Sequence, residues 1–272
     1  MSYAFDNDEF SHYYDRFVVE HVPRDIFWTD TVKDVYAEII RQTFIDNQQT
    51  TVVELGCGTG ENLLALQNYF PNKNLKFIGI DHSQAMLNRA REKLNNKIEL
   101  LHGSLTDFAQ CLQTKPVDCI LLPAGTFHHL ITDQERQDLV NNIQQTLRNE
   151  TGLFAIYLFA DSLIHTEATE SAANTEDKFK LISVENTQEN DNEWICKQIF
   201  EFNVPPKIQL SWQLRTCSIV KLIRLFISNN FEILFCCVNG KKLLPYNENI
   251  SSSLTNNSTP IIIVFRTRKN TN

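Results

Sequence analysis

Three alternating glycines that follow a short apolar strand constrain this chain more than any other feature. The sequence reads VVELGCGTG at residues 52–60, and apolar residues at helical spacing follow it. Because glycine has no Cβ, Gly56, Gly58 and Gly60 allow the backbone to turn sharply and to approach a bound molecule closely. The turn leads into a helix that starts at Glu61, so the N–H groups of its first turn point outward. The pattern predicts a ligand site between a strand and a helix.

The spacing of this loop separates two kinds of nucleotide site. A dinucleotide-binding loop has the pattern G-x-G-x-x-G and needs glycine, or at most alanine, at position 61. Glutamate stands there. The spacing E-x-G-x-G-x-G from Glu54 to Gly60 resembles the first motif of class I S-adenosylmethionine-dependent methyltransferases.

Three further strand ends follow at intervals that support this resemblance. An apolar strand over 75–81 ends in Asp81, roughly 20 residues beyond the loop, where a carboxylate can accept hydrogen bonds from both hydroxyls of a ribose. Ser83 is expected to cap the next helix. A third strand over 98–101 leads to Ser104, where the family usually has an acid that contacts the adenine. A fourth strand over 117–122 opens into residues 123–130.

The resemblance implies that S-adenosylmethionine is the cofactor. It implies that Glu54 fixes the loop or receives the methionine ammonium through water, and that backbone carbonyls at 123–125 also hold this ammonium. The cofactor-binding residues that we predict lie at the strand ends and on the flanking helices: Tyr14, Glu54, Gly56, Cys57, Gly58, Gly60, Asn62, Asp81, His82, Met86, Gly103, Ser104, Leu105, Pro123 and Ala124.

Two adjacent histidines after the fourth strand, His128 and His129, are the catalytic candidates. A neutral imidazole near pH 7 could orient or deprotonate an acceptor, although either ring could instead complete hydrogen bonds in the interior. Aromatic faces favour the positive charge of a sulfonium, and aromatic side chains fit a core equally well. Asp161 could pair with a cationic acceptor or lie on a solvated lid. The acceptor-binding residues that we predict are Tyr13, Trp28, Phe127, Tyr157 and Asp161.

The layout predicts an α/β fold with a Rossmann-like, seven-stranded, mostly parallel sheet and helices on both faces. Residues 193–203 and 207–216 alternate apolar and polar side chains. With residues 178–187 they are predicted to make three antiparallel strands, each with one apolar face. The predicted parts are a helical N-terminal cap (1–48), a cofactor-binding core (49–164), an antiparallel insertion that covers the substrate (165–216) and a C-terminal completion of the core sheet (217–272).

Composition limits the classes of partner. The formal net charge of −8 argues against nucleic acid, because phosphate contacts need clustered Lys and Arg. No segment approaches the ~20 apolar residues that span a bilayer, and the N-terminus lacks the pattern of a secretory signal. The seven cysteines show no C-x-x-C spacing, which favours reduced thiols in a cytoplasmic protein. We expect a monomer or homodimer that acts on a small molecule without binding nucleic acid or membranes.

The predicted reaction is N-methylation of a small amine by in-line displacement. The resemblance to small-molecule N-methyltransferases of the glycine/sarcosine and amino-sugar type rests on the position of the insertion. No metal-ligand cluster is legible at the strand ends, and we predict no metal. A small-molecule O-methyltransferase and a non-catalytic protein that binds S-adenosylmethionine as a sensor or scaffold remain alternatives.

Overall fold

The fold is taken from a computed structural model, which describes residues 2–21, 30–94, 98–113, 115–164, 179–190, 193–203, 207–238, 242–247 and 260–269. Trp28 lies outside these ranges. The helices are α1 (Asp8–His21), α2 (Asp30–Arg41), α3 (Glu61–Tyr69), α4 (Gln84–Lys93), α5 (Asp133–Thr146), α6 (Asp161–Ile164) and α7 (Ile219–Ser228). The strands are β1 (Ser2–Tyr3), β2 (Thr50–Leu55), β3 (Leu75–Asp81), β4 (Ile98–His102), β5 (Cys119–Leu122), β6 (Leu153–Leu158), β7 (Phe179–Asn190), β8 (Glu193–Phe202), β9 (Ile208–Arg215), β10 (Phe231–Val238), β11 (Leu244–Pro245) and β12 (Ile261–Thr267).

The large sheet has the strand order β11-β10-β12-β6-β5-β2-β3-β4. Its five strands from β6 to β4 run parallel, and β12, β10 and β11 complete it in antiparallel pairs. The predicted α/β architecture is therefore confirmed, with one correction. The sheet has eight strands rather than seven, because the two-residue strand β11 pairs with the edge of β10.

Alternating side chains of the central strands fill two separate cores. Val53 and Leu55 of β2 lie in the core under α5 and α7, whereas Val52 lies in the core under α2, α3 and α4. Nearly continuous apolar runs are what a parallel sheet covered on both faces requires. The carboxyl ends of β2, β3 and β5 thus meet at one edge, where a ligand binds in folds of this type.

Strands β7, β8 and β9 belong to a second, smaller sheet. Strands β7, β8 and β9 pair antiparallel in sequence order, as the alternation predicted. A fourth strand was not predicted: β1, at the start of the chain, runs parallel to β9, with Ser2 opposite Leu210 and Tyr3 opposite Ser211. The N-terminal segment is therefore attached to this sheet, which we call the cover sheet.

A buried ion cluster joins the cover sheet to the core. The Glu193 carboxylate (0% exposed) lies 2.6 Å from Arg215 Nη2 and 3.5 Å from Arg136 Nη1. The Ser218 N–H, at the start of α7, donates to Glu193 at 3.1 Å. Burial alone would raise the pKa of Glu193, but this N–H and the two guanidinium groups lower it to about 2. The ion cluster that joins the cover sheet to the core therefore contains a carboxylate that stays ionised.

We predict that Glu193→Gln lowers the free energy of unfolding at pH 7 by about 3 kcal/mol. The change leaves the buried Arg136 guanidinium without its carboxylate partner and leaves Arg215 with the exposed Asp133. A carboxylate whose pKa is depressed on folding stabilises above its unfolded pKa of about 4.3 and loses that contribution as the pH falls toward 2. Urea denaturation at pH 7, 5, 4 and 3 should show the gap between wild type and variant narrowing. The control is Glu185→Gln, which breaks an exposed pair with Lys197 and should cost at most about 1 kcal/mol. A difference in the free energy of unfolding that stays constant with pH would contradict this prediction.

Candidate cofactor and acceptor site

The glycine loop is fixed against the neighbouring strand β3. The N–H groups of Gly56 and Cys57 both donate to the Ile80 carbonyl, at 2.8 and 3.1 Å. All three loop glycines have positive φ, 67°, 52° and 80° in chain order, where an L side chain is strained. A Cβ on Gly56 would lie 2.4 Å from the Thr126 methyl, and one on Gly60 would lie 2.6 Å from Leu94. These two glycines are therefore required by packing.

Gly58 is different, because its side-chain position faces open space. A Cβ there would meet only the Tyr14 ring, at 3.9 Å. Gly58 is thus the point at which the loop backbone can approach a bound molecule, and the Tyr14 ring lies beside that point. Burial, with the Asp81 and Asp15 carboxylates nearby, raises the pKa of the Tyr14 phenol, so it stays neutral.

Asp81 closes the other side of the loop. One carboxylate oxygen accepts the Gly58 N–H and the other accepts the Ser83 N–H, each at 2.8 Å. The Asp81 side chain is 7% exposed, and burial raises its pKa although these two bonds act to lower it. Each oxygen keeps further lone pairs, so the carboxylate can still accept from the hydroxyls of a ribose. Ser83 caps α4 through the Met86 N–H, as predicted.

Glu54 lies beneath the loop, next to an unpartnered acceptor. Its carboxylate accepts a hydrogen bond from Asn62 Nδ2 at 2.7 Å. Burial raises the pKa of Glu54 to about 8, although the bond from Asn62 acts to lower it. The Asn62 Oδ1 atom is buried and has no hydrogen-bond partner. A bound ammonium group would satisfy this oxygen, so together with the open space at Gly58 these residues fit S-adenosylmethionine.

The N-terminal segment closes over this region. Thr59 of the glycine loop donates to Asp15, and Lys93 at the end of α4 pairs with both Asp15 and Glu61. These contacts hold α1, and with it Tyr14, against the loop.

The residues predicted near the adenine show a mixed picture. Gly103 lies next to β3, with its N–H on the Asp81 carbonyl at 3.0 Å. Ser104 makes only local bonds, from its N–H to Asp107 and from its hydroxyl to Thr106, and the nearby Leu105 packs on the core.

Two further residues of the predicted set follow Asp81 closely in the chain. His82 Nδ1 is 3.7 Å from Asp81 Oδ1. Met86 is 1% exposed and packs between α4 and the cover sheet, which speaks against broad contact with a ligand.

The predicted ammonium ligands are backbone carbonyls at the end of β5, and one of them already accepts two hydrogen bonds. The Pro123 carbonyl accepts both the N–H and the hydroxyl of Thr126, at 3.1 and 2.8 Å. Ala124 has a positive φ of 56°, which for a non-glycine residue marks local strain. The sharp turn at Ala124 and Gly125 directs the following residues, Thr126–His129, toward the glycine loop.

His128 is fully buried and both of its ring nitrogens are occupied. Its Nδ1 lies 2.8 Å from the Arg215 carbonyl, and its Nε2 accepts the Phe159 N–H at 3.0 Å. Burial lowers the pKa of His128 to about 3. A neutral imidazole that already donates once and accepts once has no nitrogen left for an acceptor. This geometry speaks against a direct catalytic role for His128.

His129 faces the N-terminal segment. Its Nδ1 lies 3.2 Å from Tyr3 Oη, and the Phe5 ring packs edge-on against it at 5.3 Å. Burial, with His82 nearby, lowers the pKa of His129 to about 4, and a hydrogen bond to the Gln213 backbone acts against this shift. His129 is therefore a neutral ring beside Tyr3 and Phe5, and it is the remaining catalytic candidate of the two histidines.

The predicted acceptor-binding residues are spread over several environments. Phe127 is 0% exposed, with the Arg136 guanidinium over its ring, so it is a core residue. Tyr157 is 3% exposed in the opposite core. The Tyr13 ring packs on Phe202 of the cover sheet at 5.1 Å, and Asp161 begins α6 at the exit of β6. Among the described residues of this set, Tyr13 packs on the cover sheet and Asp161 interacts electrostatically with Cys196 of β8.

Several residues near the site carried no signal that sequence reasoning could use. Tyr3 and Phe5 lie beside His129, and Asp15 holds α1 on the loop. Each belongs to a segment far from the loop in the chain. A periodic pattern cannot report such contacts; only a covarying alignment could have done so.

Asp81→Ala is predicted to weaken binding of S-adenosylhomocysteine by about 1.5–3 kcal/mol, the value of a charge-assisted hydrogen bond. Gly58→Val should abolish binding, because its side chain would fill the open space at the loop. Isothermal calorimetry measures both, with circular dichroism to check folding. Glu99→Ala, which removes an exposed partner of Lys76 on β4, is the matched control. Unchanged affinity in both site variants would show that the cofactor binds elsewhere.

The raised pKa of Glu54 should make the affinity for the cofactor depend on pH. If an ammonium binds beside the Glu54 carboxyl, it favours the ionised form, so affinity should increase as the pH rises toward 8 and binding should release a proton. Calorimetry in buffers of different ionisation enthalpy counts that proton. Glu54→Gln should lose this proton release, and equal release by variant and wild type would contradict the assignment.

Two kinds of feature are absent from the described part of the chain. No helix there is long and apolar enough to cross a membrane. No group of three or more His, Cys, Asp or Glu residues is arranged there to hold a metal ion.

Comparisons with known proteins give a consistent family. The family model described as a methyltransferase domain matches residues 52–150. An uncharacterised methyltransferase of Geobacillus sp. strain WCH70 is 30% identical over 148 residues, which are 53% of this chain and 66% of the relative. A carboxy-S-adenosyl-L-methionine synthase of Campylobacter concisus is 29% identical over 143 residues, 53% of this chain and 56% of the relative. The chain thus spans less than two thirds of the length of these curated relatives.

Solved structures match over nearly the whole chain. A S-adenosylmethionine-dependent methyltransferase of Clostridium acetobutylicum superposes with a TM-score of 0.68 at 14% identity, over 96% of this chain and 99% of that one. The sugar N-methyltransferase KedS8 of Streptoalloteichus sp. superposes with a TM-score of 0.63 at 13% identity, over 94% and 93%. Residues 52–150 of this chain are therefore a methyltransferase domain, and the chain has the fold of the class I S-adenosylmethionine-dependent methyltransferases.

Proposed function

We propose that this protein is a methyltransferase that transfers the methyl group of S-adenosylmethionine to the nitrogen of a small amine. The observation that carries the proposal is the Asp81 carboxylate, which holds Gly58 by its N–H while the Gly58 side-chain position stays open. A loop whose backbone is exposed beside a ribose-binding carboxylate is built for a nucleoside without a pyrophosphate. The structural likeness to KedS8, named a sugar N-methyltransferase, supports an amine acceptor.

The chain's residues divide the work of binding. When bound, S-adenosylmethionine supplies an activated methyl group on a sulfonium. Asp81 would accept the ribose hydroxyls, and Glu54 with Asn62 Oδ1 would receive the ammonium. The Tyr14 ring, held over the loop by the Asp15 contacts, offers an aromatic face to positive charge. The N-terminal segment and the cover sheet keep water from the reacting groups.

His129 and Tyr3 are neutral groups on the predicted acceptor side. Because the Gln213 backbone accepts from the His129 ring, Nδ1 of this ring accepts from Tyr3 Oη. With its ring engaged by Gln213 and Tyr3, His129 fixes Tyr3 Oη, which keeps a lone pair that can accept from an amine N–H without taking its proton. An uncharged amine is already a nucleophile, and alignment alone can supply about 7–11 kcal/mol of barrier reduction. O-methylation would instead call for a base beside the acceptor hydroxyl, and the low pKa of His129 makes it a weak one.

The test is turnover of a panel of small amines and hydroxyl compounds with methyl-labelled S-adenosylmethionine. The proposal predicts transfer of label to an amine and stoichiometric formation of S-adenosylhomocysteine. Transfer to hydroxyl compounds alone would favour O-methylation, and tight binding without any transfer would favour a sensor. Mass spectrometry of the S-adenosylmethionine recovered from the assay distinguishes a fourth outcome. A carboxylated cofactor would indicate the activity named for the Campylobacter relative.

The pH profile tests the role assigned to His129. With a pKa near 4, this ring stays neutral from pH 5 to 9, so we predict that His129→Asn lowers kcat less than tenfold and leaves the profile unchanged. A general base is usually worth about 10²–10⁴-fold. A loss of that size, together with a missing limb near pH 6.5, would show that His129 takes a proton from the acceptor.

A further inference from the structure

The segment that forms the cover sheet leaves the core after β6 and returns to it after β9, and one side chain binds both connections. Phe159 is the first residue beyond β6, and Arg215 is the last residue of β9. His128 accepts the N–H of the first at 3.0 Å and lies 2.8 Å from the carbonyl of the second. Its ring also stacks on Phe159, with 5.5 Å between centroids and 7° between planes.

The two bonds require a single form of the ring. Because a backbone carbonyl can only accept, Nδ1 must carry the proton, and because a backbone N–H can only donate, Nε2 must be bare. If Nε2 were protonated, its N–H would face the Phe159 N–H, and neither donor could accept from the other. Arg136 and His129 are the charged or titratable groups that face this ring from neighbouring positions, and both oppose a positive charge on it.

The Arg215 carbonyl is held from a second direction. Arg136 Nη2 lies 3.5 Å from this carbonyl and donates to the Thr216 carbonyl at 3.1 Å. The same guanidinium faces Glu193 at the start of β8. His128 and the ion cluster therefore fix the end of the cover sheet at adjoining points.

The turn that carries His128 also touches the cofactor loop. The Thr126 methyl, two residues earlier, fills the space where Gly56 would carry a Cβ. His129, the next residue, faces Tyr3 of the N-terminal segment. The turn Thr126–His129 thus contacts the glycine loop at one end and both connections of the cover sheet at the other.

We propose that His128 is a positioning residue, which sets the placement of the cover sheet relative to the cofactor loop and thereby the affinity for the acceptor. The predicted effect on the affinity for the acceptor rests on the proposed amine methylation. His128 itself need not contact the acceptor or the cofactor.

Two substitutions each remove one of the two hydrogen bonds of the His128 ring. His128→Asn places an amide N–H near the position of Nδ1 and removes the acceptor for Phe159. His128→Gln places a carbonyl oxygen near the position of Nε2 and removes the donor to Arg215. His12→Asn, an exposed histidine on α1, is the control for loss of a surface imidazole.

Hydrogen exchange of the full chain, saturated with S-adenosylhomocysteine, tests the anchoring. His128→Asn should raise exchange at least tenfold in peptides that contain Phe159. His128→Gln should do so in peptides that cover residues 208–217, and neither should affect residues 52–66. Unchanged exchange in both variants would overturn the anchoring. Raised exchange over the whole chain would show that His128 serves global stability instead.

Kinetics test the consequence, with the panel amine of highest rate used for all variants. Both variants should raise the KM for this amine at least tenfold, change kcat less than threefold and leave the Kd of S-adenosylhomocysteine within twofold of wild type. A fall in kcat at unchanged KM, or a weakened Kd, would overturn the positioning role. If no compound of the panel is methylated, the proposed function fails, while the exchange experiment still decides whether His128 anchors the cover sheet.

Discussion

The carboxylate of Asp81 is the contact on which the site depends. It receives the Gly58 N–H from the loop after β2 and the Ser83 N–H from the start of α4 after β3. These two segments are far apart in the chain, and a single side chain holds their donors 2.8 Å from its oxygens. The loop conformation, the helix start and the acceptor for a ribose are therefore set by one residue, and its loss should affect all three together.

Two buried glutamates show how environment sets the charge of one residue type. Glu54 has a neutral amide as its partner, so burial raises its pKa to about 8. Glu193 is also buried, but two guanidinium groups and a backbone N–H face it, and its pKa is about 2. The first can respond to a cation that arrives with the cofactor. The second is a fixed charge that joins the cover sheet to the core.

The sequence was sufficient where local chain geometry decides the structure. The glycine turn, the strand that ends at Asp81 and the Ser83 cap are each encoded by residues close together in the chain, and pattern reasoning found all three. It was insufficient where tertiary contacts decide. Nothing in the two-residue strand β1 signals its pairing with β9, and no spacing rule reveals that Phe127 faces the core. The adjacent rings of His128 and His129 looked equivalent, yet the fold gives one two backbone bonds and turns the other toward Tyr3.

The most direct measurement is a calorimetric titration of the purified chain with S-adenosylhomocysteine. The account predicts one site per chain with a Kd in about the micromolar range, and a slower exchange of the Gly58 and Ser83 amides on binding. Absence of binding at millimolar ligand, or binding that leaves both amides unchanged, would contradict the claim that Asp81 and the glycine loop form the cofactor site.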